Sequence, residues 1–245
     1  MRIVSLVPSV TQTLFDFGLD HREIVGRTKF CIHPSDRVKN IPIVGGTKTL
    51  KLDKITALKP DLIIANKEEN VRKQVLELEK VCKVWVTDIS TLEDQVTFLS
   101  QLGQRLNKSE QATGFINRTN AVFTGLHPAQ TVPAAYLIWR NPYMTVGGDT
   151  FIHNIMKCLG FRNIFQDQTR YPTVEISELK GARLILLSSE PYPFREKHIA
   201  ELQEQLPDCT IMLADGEAFS WYGTRILEYE AYFRQLMGEV QDSLH

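Results

Sequence analysis

An apolar run that follows a helix end and finishes on carboxylates occurs twice in the chain, and this repeat constrains the fold most strongly. The first copy, residues 58–70, passes through a Pro stop and ends on Glu68 and Glu69, which we expect to be exposed. The second copy, residues 179–190, ends on Glu190. Short apolar runs that alternate with helices are typical of parallel sheets. The repeat therefore predicts two α/β halves, each ending a strand near a glutamate.

The same alternation continues along all 245 residues, a length sufficient for one large domain or two lobes. The predicted strands are residues 2–6, 24–26, 62–65, 84–86, 134–139, 184–187 and 210–213. The predicted helices are residues 9–17, 52–58, 69–81, 91–126, 151–159, 194–206 and 225–240, with a weak point at 107–109.

The two halves are joined by helix-forming residues, because no linker rich in Pro, Gly or Ser separates them. We assign residues 1–106 to an N-terminal α/β lobe, 107–130 to a connecting backbone helix and 131–245 to a C-terminal α/β lobe. A helix is a stiff connector compared with a flexible linker.

Composition excludes several classes of function. The chain is 43% hydrophobic and 23% charged, with a net charge of -1, so it has no excess of Lys and Arg to neutralise nucleic-acid phosphates. No segment approaches the roughly 18 apolar residues that cross a bilayer. The four cysteines form no CxxC pair, so neither a disulfide framework nor a multi-cysteine zinc site is predicted.

The N-terminal residues predict a location for the sequence as written. Residues 1–8 have the pattern of a first strand stopped by Pro8 and lack the charged, apolar and cleavage regions of a signal peptide. We therefore expect a cytoplasmic protein. A chain from which a signal had been removed would have the same sequence, and a periplasmic or membrane-anchored extracellular location would then be expected.

No catalytic motif is complete, and we predict that the protein is not an enzyme. The phosphate-binding, dinucleotide-binding, zinc-protease and nucleophile-elbow motifs are all missing. The pairs at 45–46 and 147–148 could hold a phosphate, although tight turns explain a lone Gly-Gly better. Cys31 and His33 would share one face of an extended segment, as a metal pair or a Cys–His dyad. His153, early in a helix after the second Gly-Gly pair, is a comparable candidate, although a histidine at the surface or in packing is more common.

Aromatic and polar residues cluster where strands give way to helices. They occur at residues 30–33, 139–143 and 219–223. In parallel α/β sheets, the loops at the carboxyl ends of strands gather on the edge where ligands bind. Trp and Tyr offer broad apolar contact with a polar tip, which suits a large flat ligand. Packing within the lobes is the competing interpretation for the tryptophans at 139 and 221.

Four segments in order give the sequence a specific resemblance. Residues 3–9, 44–47, 58–62 and 145–148 resemble the binding proteins of ABC importers for cobalamin and iron-siderophores. The resemblance covers nearly the whole chain. It implies two Rossmann-like lobes with mainly parallel sheets, joined by a single long backbone helix as in class III periplasmic binding proteins. It also implies a shallow cleft between the lobes that holds the ligand.

The resemblance gives the repeated glutamates a role. In this family an acidic residue on each lobe docks against arginines of the membrane permease. By position these residues are Glu68 or Glu69 on the first lobe and Glu190 on the second. Exposed Glu–Arg pairs contribute only about 0.2–1 kcal/mol each, so they would set register and association rate more than affinity. The alternative is that these glutamates are ordinary acids at helix starts.

One departure from the family bears on the ligand. The loop that carries a tryptophan in the cobalamin binder consists of Gly, Thr, Lys and Thr at 46–49. Three cations, Lys29, Lys48 and Arg140, favour an anionic ligand such as a ferric-siderophore or a carboxylate-rich tetrapyrrole. The full set of candidate ligand-binding residues is Lys29, Phe30, Cys31, His33, Thr47, Lys48, Trp139, Arg140, Tyr143, Trp221 and Tyr222.

Three hypotheses follow. The first is a monomeric solute-binding protein that holds a metal-chelate ligand of corrinoid or ferric-siderophore type and delivers it to ABC permease subunits. It needs no cofactor, since the ligand itself carries the cobalt or iron. The second is a cytosolic sensor, carrier or modifying protein for a corrinoid or metal chelate that has kept the binding fold. The third, ranked last, is an enzyme with Cys31 and His33 as metal ligands.

Overall fold

The structure is a computed structural model that describes residues 1–244, and its internal contacts divide the chain into two units. Unit 1 comprises Met1–Ile89, Glu93–Asn117 and Trp221–Arg225, and the remaining described residues form unit 2. Within the described residues, no helix combines the length and the apolar character that a membrane crossing needs.

Unit 1 is built on a parallel sheet of four strands. These are β1 (Ile3–Ser5), β2 (Ile24–Arg27), β5 (Leu62–Asn66) and β6 (Val84–Thr87), in the order β2-β1-β5-β6. A two-stranded antiparallel hairpin consists of β3 (Gly45–Gly46) and β4 (Thr49–Leu50). The helices are α1 (Pro8–Asp16), α2 (Leu52–Ala57) and α3 (Arg72–Glu79), with a 3-10 turn at Val38–Asn40.

The central strands of unit 1 form because their side chains are buried on both faces. Every residue of β1 and β5 is buried, which explains why both strands have continuous apolar runs rather than an alternating pattern. Val4 and Ile63 pack in one core with Ile55 of α2 and Leu78 of α3.

Two long helices follow the first sheet. They are α4 (Leu92–Leu106) and α5 (Ser109–Thr124), and the two residues between them include Asn107, whose φ of 55° lies in the left-handed region. Asn tolerates this conformation better than most residues, so the predicted weak point is the helix break. The chain passes from unit 1 to unit 2 within α5, after Asn117.

Unit 2 repeats the parallel four-stranded sheet. Its strands are β7 (Val132–Leu137), β8 (Phe161–Asn163), β9 (Leu184–Ser188) and β10 (Thr210–Ala214), in the order β10-β9-β7-β8. Its helices are α6 (Phe151–Cys158), α7 (Glu196–Gln203), α8 (Gly216–Ser220) and α9 (Glu230–Ser243). Two 3-10 segments, Ile176–Gly181 and Gly223–Tyr229, complete the described elements, although the first three residues of the second belong to unit 1.

The predicted α/β fold class with mainly parallel sheets is confirmed, with several local differences. The sequence pattern missed β8, the short hairpin and α8. The predicted helix 69–81 starts only at Arg72, because the side chain of Asn66 bonds the amides of Glu68 and Glu69 and holds them in a turn. The predicted helix 225–240 begins instead as a 3-10 segment.

The segment Trp221–Arg225 belongs to unit 1, although its position in the sequence predicts the C-terminal lobe. Two hydrogen bonds hold it in unit 1: Gly223 N donates to Gln95 Oε1 (3.0 Å) and Thr224 N donates to Thr13 Oγ1 (3.2 Å). Gly223 has a φ of 85° and passes so close to Thr13 that a Cβ would lie 2.2 Å from its Oγ1. Only glycine fits this approach.

Candidate ligand-binding site

Several segments of unit 1 meet at the carboxyl edge of its sheet, where open α/β sheets bind ligands. The loop after β2 is tied to the hairpin because Lys29 N donates to Gly45 O (2.8 Å). The ring of Phe30 packs on Gly46, where an added Cβ would lie 3.3 Å from Cε2. Phe30 is 49% exposed, and the Lys29 ammonium lies 4.9 Å from its ring centroid. This loop presents an apolar ring beside a positive charge.

Cys31 and His33 do not share one face of the loop, contrary to the sequence prediction. Cys31 is fully buried, with Thr11 Oγ1 at 3.0 Å and Thr28 Oγ1 at 3.2 Å from its Sγ. Its amide donates to Thr28 O, so the chain turns here instead of running extended. Burial raises the pKa of the thiol, which keeps it protonated. The side chain of Cys31 is thus unavailable to a ligand or a shared metal.

His33 instead joins an aromatic and cationic cluster with residues distant in sequence. Its ring meets the edge of Trp221 at a centroid distance of 5.4 Å. Arg225 Nη2 lies 3.4 Å from His33 Nε2, and the guanidinium carbon is 5.8 Å from the Trp221 centroid. Trp221 itself is only 8% exposed. Arg225 was not among the predicted site residues, although it lies only four residues beyond Trp221.

Tyr222 has a structural role in unit 1. Its ring packs edge-on against Phe98 with centroids 5.9 Å apart, and the residue is buried. Burial raises the pKa of its phenol, while the side chains of Thr87, Ser9 and Asn66 act in the opposite direction. These contacts hold Tyr222 inside unit 1. Of the two neighbours, Trp221 is therefore the one that we expect to contact a ligand directly.

The hairpin turn carries Thr47 and Lys48 and is fastened to the segment that follows β5. Thr47 is buried, and its carbonyl accepts a hydrogen bond from Asn70 Nδ2 (3.1 Å). Lys48 is exposed, and its Nζ donates to the carbonyl of Glu68. The carbonyl of Thr47 and the ammonium group of Lys48 therefore connect the hairpin to the segment that contains Glu68.

The three glutamates are half-buried rather than exposed. Glu68 and Glu69 lie before α3, whose first turn contains no acidic residue, so they are not ordinary helix-start acids. Glu190 is held through its carboxylate, because Ser220 Oγ donates to Oε1 (3.0 Å). Gly216 packs on the same side chain, where a Cβ would lie 2.3 Å from Glu190 Cγ.

In unit 2 the candidate residues follow β7. Trp139 is 41% exposed and meets Tyr192 edge-on at 5.7 Å. Arg140 Nη2 lies 2.6 Å from Glu201 Oε2, and a hydrogen bond to Tyr192 raises the pKa of Arg140. Tyr143 is half-buried and packs against the core of unit 2. The charge of Arg140 is thus already paired, which weakens its case as an anion contact.

The glycine pair at 147–148 is a packing feature. The amides of Gly147 and Gly148 donate to the carbonyls of Arg170 (2.7 Å) and Gln168 (2.9 Å), so they do not point at a phosphate. A Cβ at either position would lie 2.4 Å or less from a backbone oxygen. Gly45 and Gly46 likewise pair with β4. The pair at 45–46 therefore belongs to a tight hairpin, as expected, and the pair at 147–148 allows a close backbone approach.

The third hypothesis places a metal ion at Cys31 and His33. Among residues 1–244, no group of three or more His, Cys, Asp or Glu side chains could hold a metal ion. His153 lies beside Asn163, 3.4 Å from Nδ1 to Nδ2, and burial lowers its pKa.

A separate cavity of about 360 Å³ lies in unit 2 at the other edge of its sheet. It is lined by Val132 and Phe161, the first residues of β7 and β8, and by the Met237 face of α9. This position is at the amino ends of the strands, away from the loops that carry the candidate residues.

Comparisons with known proteins agree with this architecture. The chain is 28% identical over 184 residues to the vitamin B12-binding protein of Vibrio campbellii, which covers 73% of this chain and 66% of that protein. It is 28% identical over 181 residues to the vitamin B12-binding protein of Salmonella typhimurium, again covering 66% of that protein. The chain thus spans just under two thirds of the curated relatives it matches.

Solved structures share the fold over almost the full length. The periplasmic vitamin B12 binding protein BtuF of Vibrio cholerae superposes with a TM-score of 0.83 at 20% identity, covering 98% of this chain and 97% of that one. The periplasmic heme-binding protein RhuT from Roseiflexus has a TM-score of 0.81 at 16% identity, covering 100% and 99%. The model of the family described as periplasmic binding protein matches residues 3–184. The chain belongs to the periplasmic binding protein family.

Proposed function

We propose that the protein is a solute-binding protein that holds a metal-chelate ligand and delivers it to an ABC permease without performing chemistry. The observation that carries the proposal is the carboxyl edge of unit 1, where Phe30 is exposed beside Lys29 and next to the Lys48 hairpin. An apolar ring with adjacent cations suits a large flat ligand that carries anionic groups. The exposed Trp139 offers unit 2 a second such surface.

The charges favour an anionic chelate over a neutral corrinoid. Lys29 and Lys48 are exposed on unit 1, and Arg225 lies beside His33 and Trp221. Arg140 is paired with Glu201 and adds less to this preference than its sequence position suggests. Relatives and neighbours named as vitamin B12-binding and heme-binding proteins support a tetrapyrrole-sized ligand. A haem, another carboxylate-rich tetrapyrrole or a ferric-siderophore therefore fits best.

A permease partner is part of the same proposal. Glu68 and Glu69 on unit 1 and Glu190 on unit 2 would meet arginines of the permease. The second candidate function is a sensor, carrier or modifying protein that keeps the binding fold but meets no permease. One observation favours it: the Glu190 carboxylate already accepts a hydrogen bond from Ser220 Oγ within unit 2, so it has a role that needs no permease arginine.

Tryptophan fluorescence tests ligand binding directly. We expect haemin, cyanocobalamin or ferric-enterobactin to quench emission saturably, because Trp139 is exposed and Trp221 lies at the candidate site. Trp139→Phe and Trp221→Phe should each reduce the quench. Trp85→Phe is the matched control, since Trp85 stacks on Phe98 with centroids 5.4 Å apart. Absence of saturable quenching with all three probes would refute the proposal.

A further inference from the structure

Three buried polar side chains lie at the carboxyl ends of β5 and β6 in unit 1. They are Asn66, Asn70 and Thr87, and we call them the buried polar cluster. Asn66 Nδ2 donates to Thr87 Oγ1 (3.2 Å), and Asn66 N donates to Asn70 Oδ1 (2.9 Å). Thr87 Oγ1 donates in turn to Ala65 O (3.0 Å). Buried polar groups destabilise a protein unless bonded, whereas a satisfied network makes one geometry rigid.

The cluster fixes the backbone of the proposed docking glutamates. Asn66 Oδ1 accepts hydrogen bonds from Glu68 N (2.8 Å) and Glu69 N (3.2 Å). One amide side chain thus holds both residues through their main chain, and any rotation of Asn66 would release both amides.

The cluster also fixes the ligand-facing hairpin. Asn70 Nδ2 donates to Thr47 O (3.1 Å) at the hairpin turn and to Leu6 O (3.3 Å) after β1. Both donors and the acceptor oxygen of the Asn70 amide are therefore engaged. A movement of the hairpin would pull on Asn70, and through Asn70 Oδ1 on the backbone of Asn66.

A second ligand-facing segment reaches the cluster through Tyr222. The side chains of Thr87 and Asn66 lower the pKa of this buried phenol against the effect of burial, and the ring packs edge-on against Phe98. The preceding residue, Trp221, contacts His33 at the candidate site. The hairpin therefore reaches the cluster at Asn70, and the Trp221 segment reaches it at Thr87 and Asn66.

We propose that Asn66, Asn70 and Thr87 are positioning residues that couple the ligand-facing segments of unit 1 to the backbone of Glu68 and Glu69. A ligand that moves the hairpin turn or Trp221 changes the hydrogen bonds that hold the two glutamate amides. The glutamates thereby present a different geometry to the permease in the loaded and the empty protein. This inference rests on the proposed function for its biological meaning, but the coupling itself is testable without a ligand.

The ligand-free test is amide hydrogen exchange at Glu68 and Glu69, because both amides are hydrogen-bonded to the cluster. In Asn70→Ala, which removes both donors to the hairpin and Leu6, we expect exchange at these amides to be about tenfold faster. Tyr222→Phe removes only a hydroxyl and should give about a threefold increase. It remains informative if Asn70→Ala folds poorly.

Asn163→Ala is the matched control for the substitutions in the cluster. Asn163 is buried in unit 2, where Nδ2 donates to Val146 O (2.8 Å) and Oδ1 accepts from Phe165 N (3.0 Å). Its loss should accelerate exchange locally in unit 2 and leave the amides of Glu68 and Glu69 unchanged. Wild-type exchange at these amides in both Asn70→Ala and Tyr222→Phe would overturn the proposal, as would an equal increase in Asn163→Ala.

The ligand arm uses haemin, cyanocobalamin or ferric-enterobactin, whichever quenches tryptophan emission. At saturation we expect the probe to change exchange at the two amides of the wild type about threefold. In Asn70→Ala the probe should still bind, but exchange at these amides should no longer respond to it. A bound probe that leaves the wild-type amides unchanged would overturn the coupling. If none of the three quenches, the proposed function fails, and the ligand-free substitutions alone decide whether the cluster holds the glutamates.

Discussion

The two sheets have the same topology, and the comparison shows how one arrangement serves two different loops. In unit 1 the strand order is β2-β1-β5-β6, and in unit 2 the matching order is β8-β7-β9-β10. Leu62 of β5 pairs with Ile3, and Leu184 of β9 pairs with Ala134, in parallel register. β5 and β9 each consist of five buried residues. The repeated apolar run in the sequence is thus a repeated strand.

The difference begins where these two strands end. After β5, Asn66 holds Glu68 and Glu69 through their backbone amides. After β9, Ser188 Oγ donates to the carbonyl of Glu190, and Ser220 holds the carboxylate. The bonds from Asn66 thus hold Glu68 and Glu69 through the backbone, whereas the bonds to Glu190 reach both its backbone and its carboxylate. Equivalent strands place acids at equivalent positions, and the local loop chemistry determines which part of each acid is constrained.

The largest expected effect tests whether the two central strands are equivalent. Ile63 and Ile185 each occupy the second position of their strand and are fully buried. Truncation to alanine removes buried methyl and methylene groups and leaves a cavity, so Ile63→Ala and Ile185→Ala should each cost about 2–5 kcal/mol. Protection from hydrogen exchange in β5 and β9 measures each unit separately.

If only one of these substitutions lowered the free energy of unfolding by this amount, the two strands would not be equivalent. Val86→Ala in β6 is the control, since Val86 is exposed and its truncation should change stability by less than about 0.5 kcal/mol.

The strands were predictable from sequence, and the site was predictable only in part. Continuous apolar runs such as Leu184–Ser188 indicate a strand because burial on both faces requires them. β8 was missed because Phe-Arg-Asn is too short and too polar to give a strand pattern. Cys31 was misplaced because alternation was assumed for a segment that turns, and the turn depends on the Cys31 amide bonding Thr28.

The position of Trp221–Arg225 could not have been predicted from the local sequence. Thr224 reaches Thr13, and Gly223 reaches Gln95, across long separations along the chain. No periodicity encodes such contacts, because they depend on how distant segments pack. The same limit applies to the buried polar cluster, whose asparagines have the composition of an ordinary turn until their bonds to Thr47 and Leu6 are known.

A smaller expected effect is the loss of stability of unit 2 at acid pH. His198 of unit 2 is buried, and its Nδ1 accepts a hydrogen bond from Arg195 N (2.9 Å). Burial lowers the pKa of His198, and Arg140 and Lys197 lower it further. The folded state therefore binds the proton less readily than the unfolded state, whose histidine has a pKa near 6.5.

The sign of the pH dependence follows from this difference. The stability of unit 2 should be complete above about pH 6.5 and should fall as the pH drops toward the lower folded pKa of His198. Hydrogen exchange in β9, corrected for intrinsic rates, should therefore lose protection between pH 7.5 and 5.5. His198→Gln should reduce this loss, and His153→Gln should remove a further part, because burial also lowers the pKa of His153. An unchanged pH response in both variants would contradict the assignment.

The smallest expected effect concerns the glutamates themselves and decides between the first two hypotheses. Glu68→Ala with Glu69→Ala should leave tryptophan quenching by the ligand intact and weaken docking by about 0.2–1 kcal/mol for each lost Glu–Arg pair. Glu190→Ala should act similarly in transport, and it should also leave Ser220 without its carboxylate partner. Uptake measured at low and at high salt provides the test, because salt weakens ion pairs, although less for half-buried carboxylates than for exposed ones. If ligand uptake with the variants equals uptake with the wild type at low salt, the glutamates have no docking role. A binding protein without a permease then becomes the better description. If quenching weakens instead, the carboxylates belong to the ligand site, and the different bonds that hold Glu68, Glu69 and Glu190 serve ligand binding.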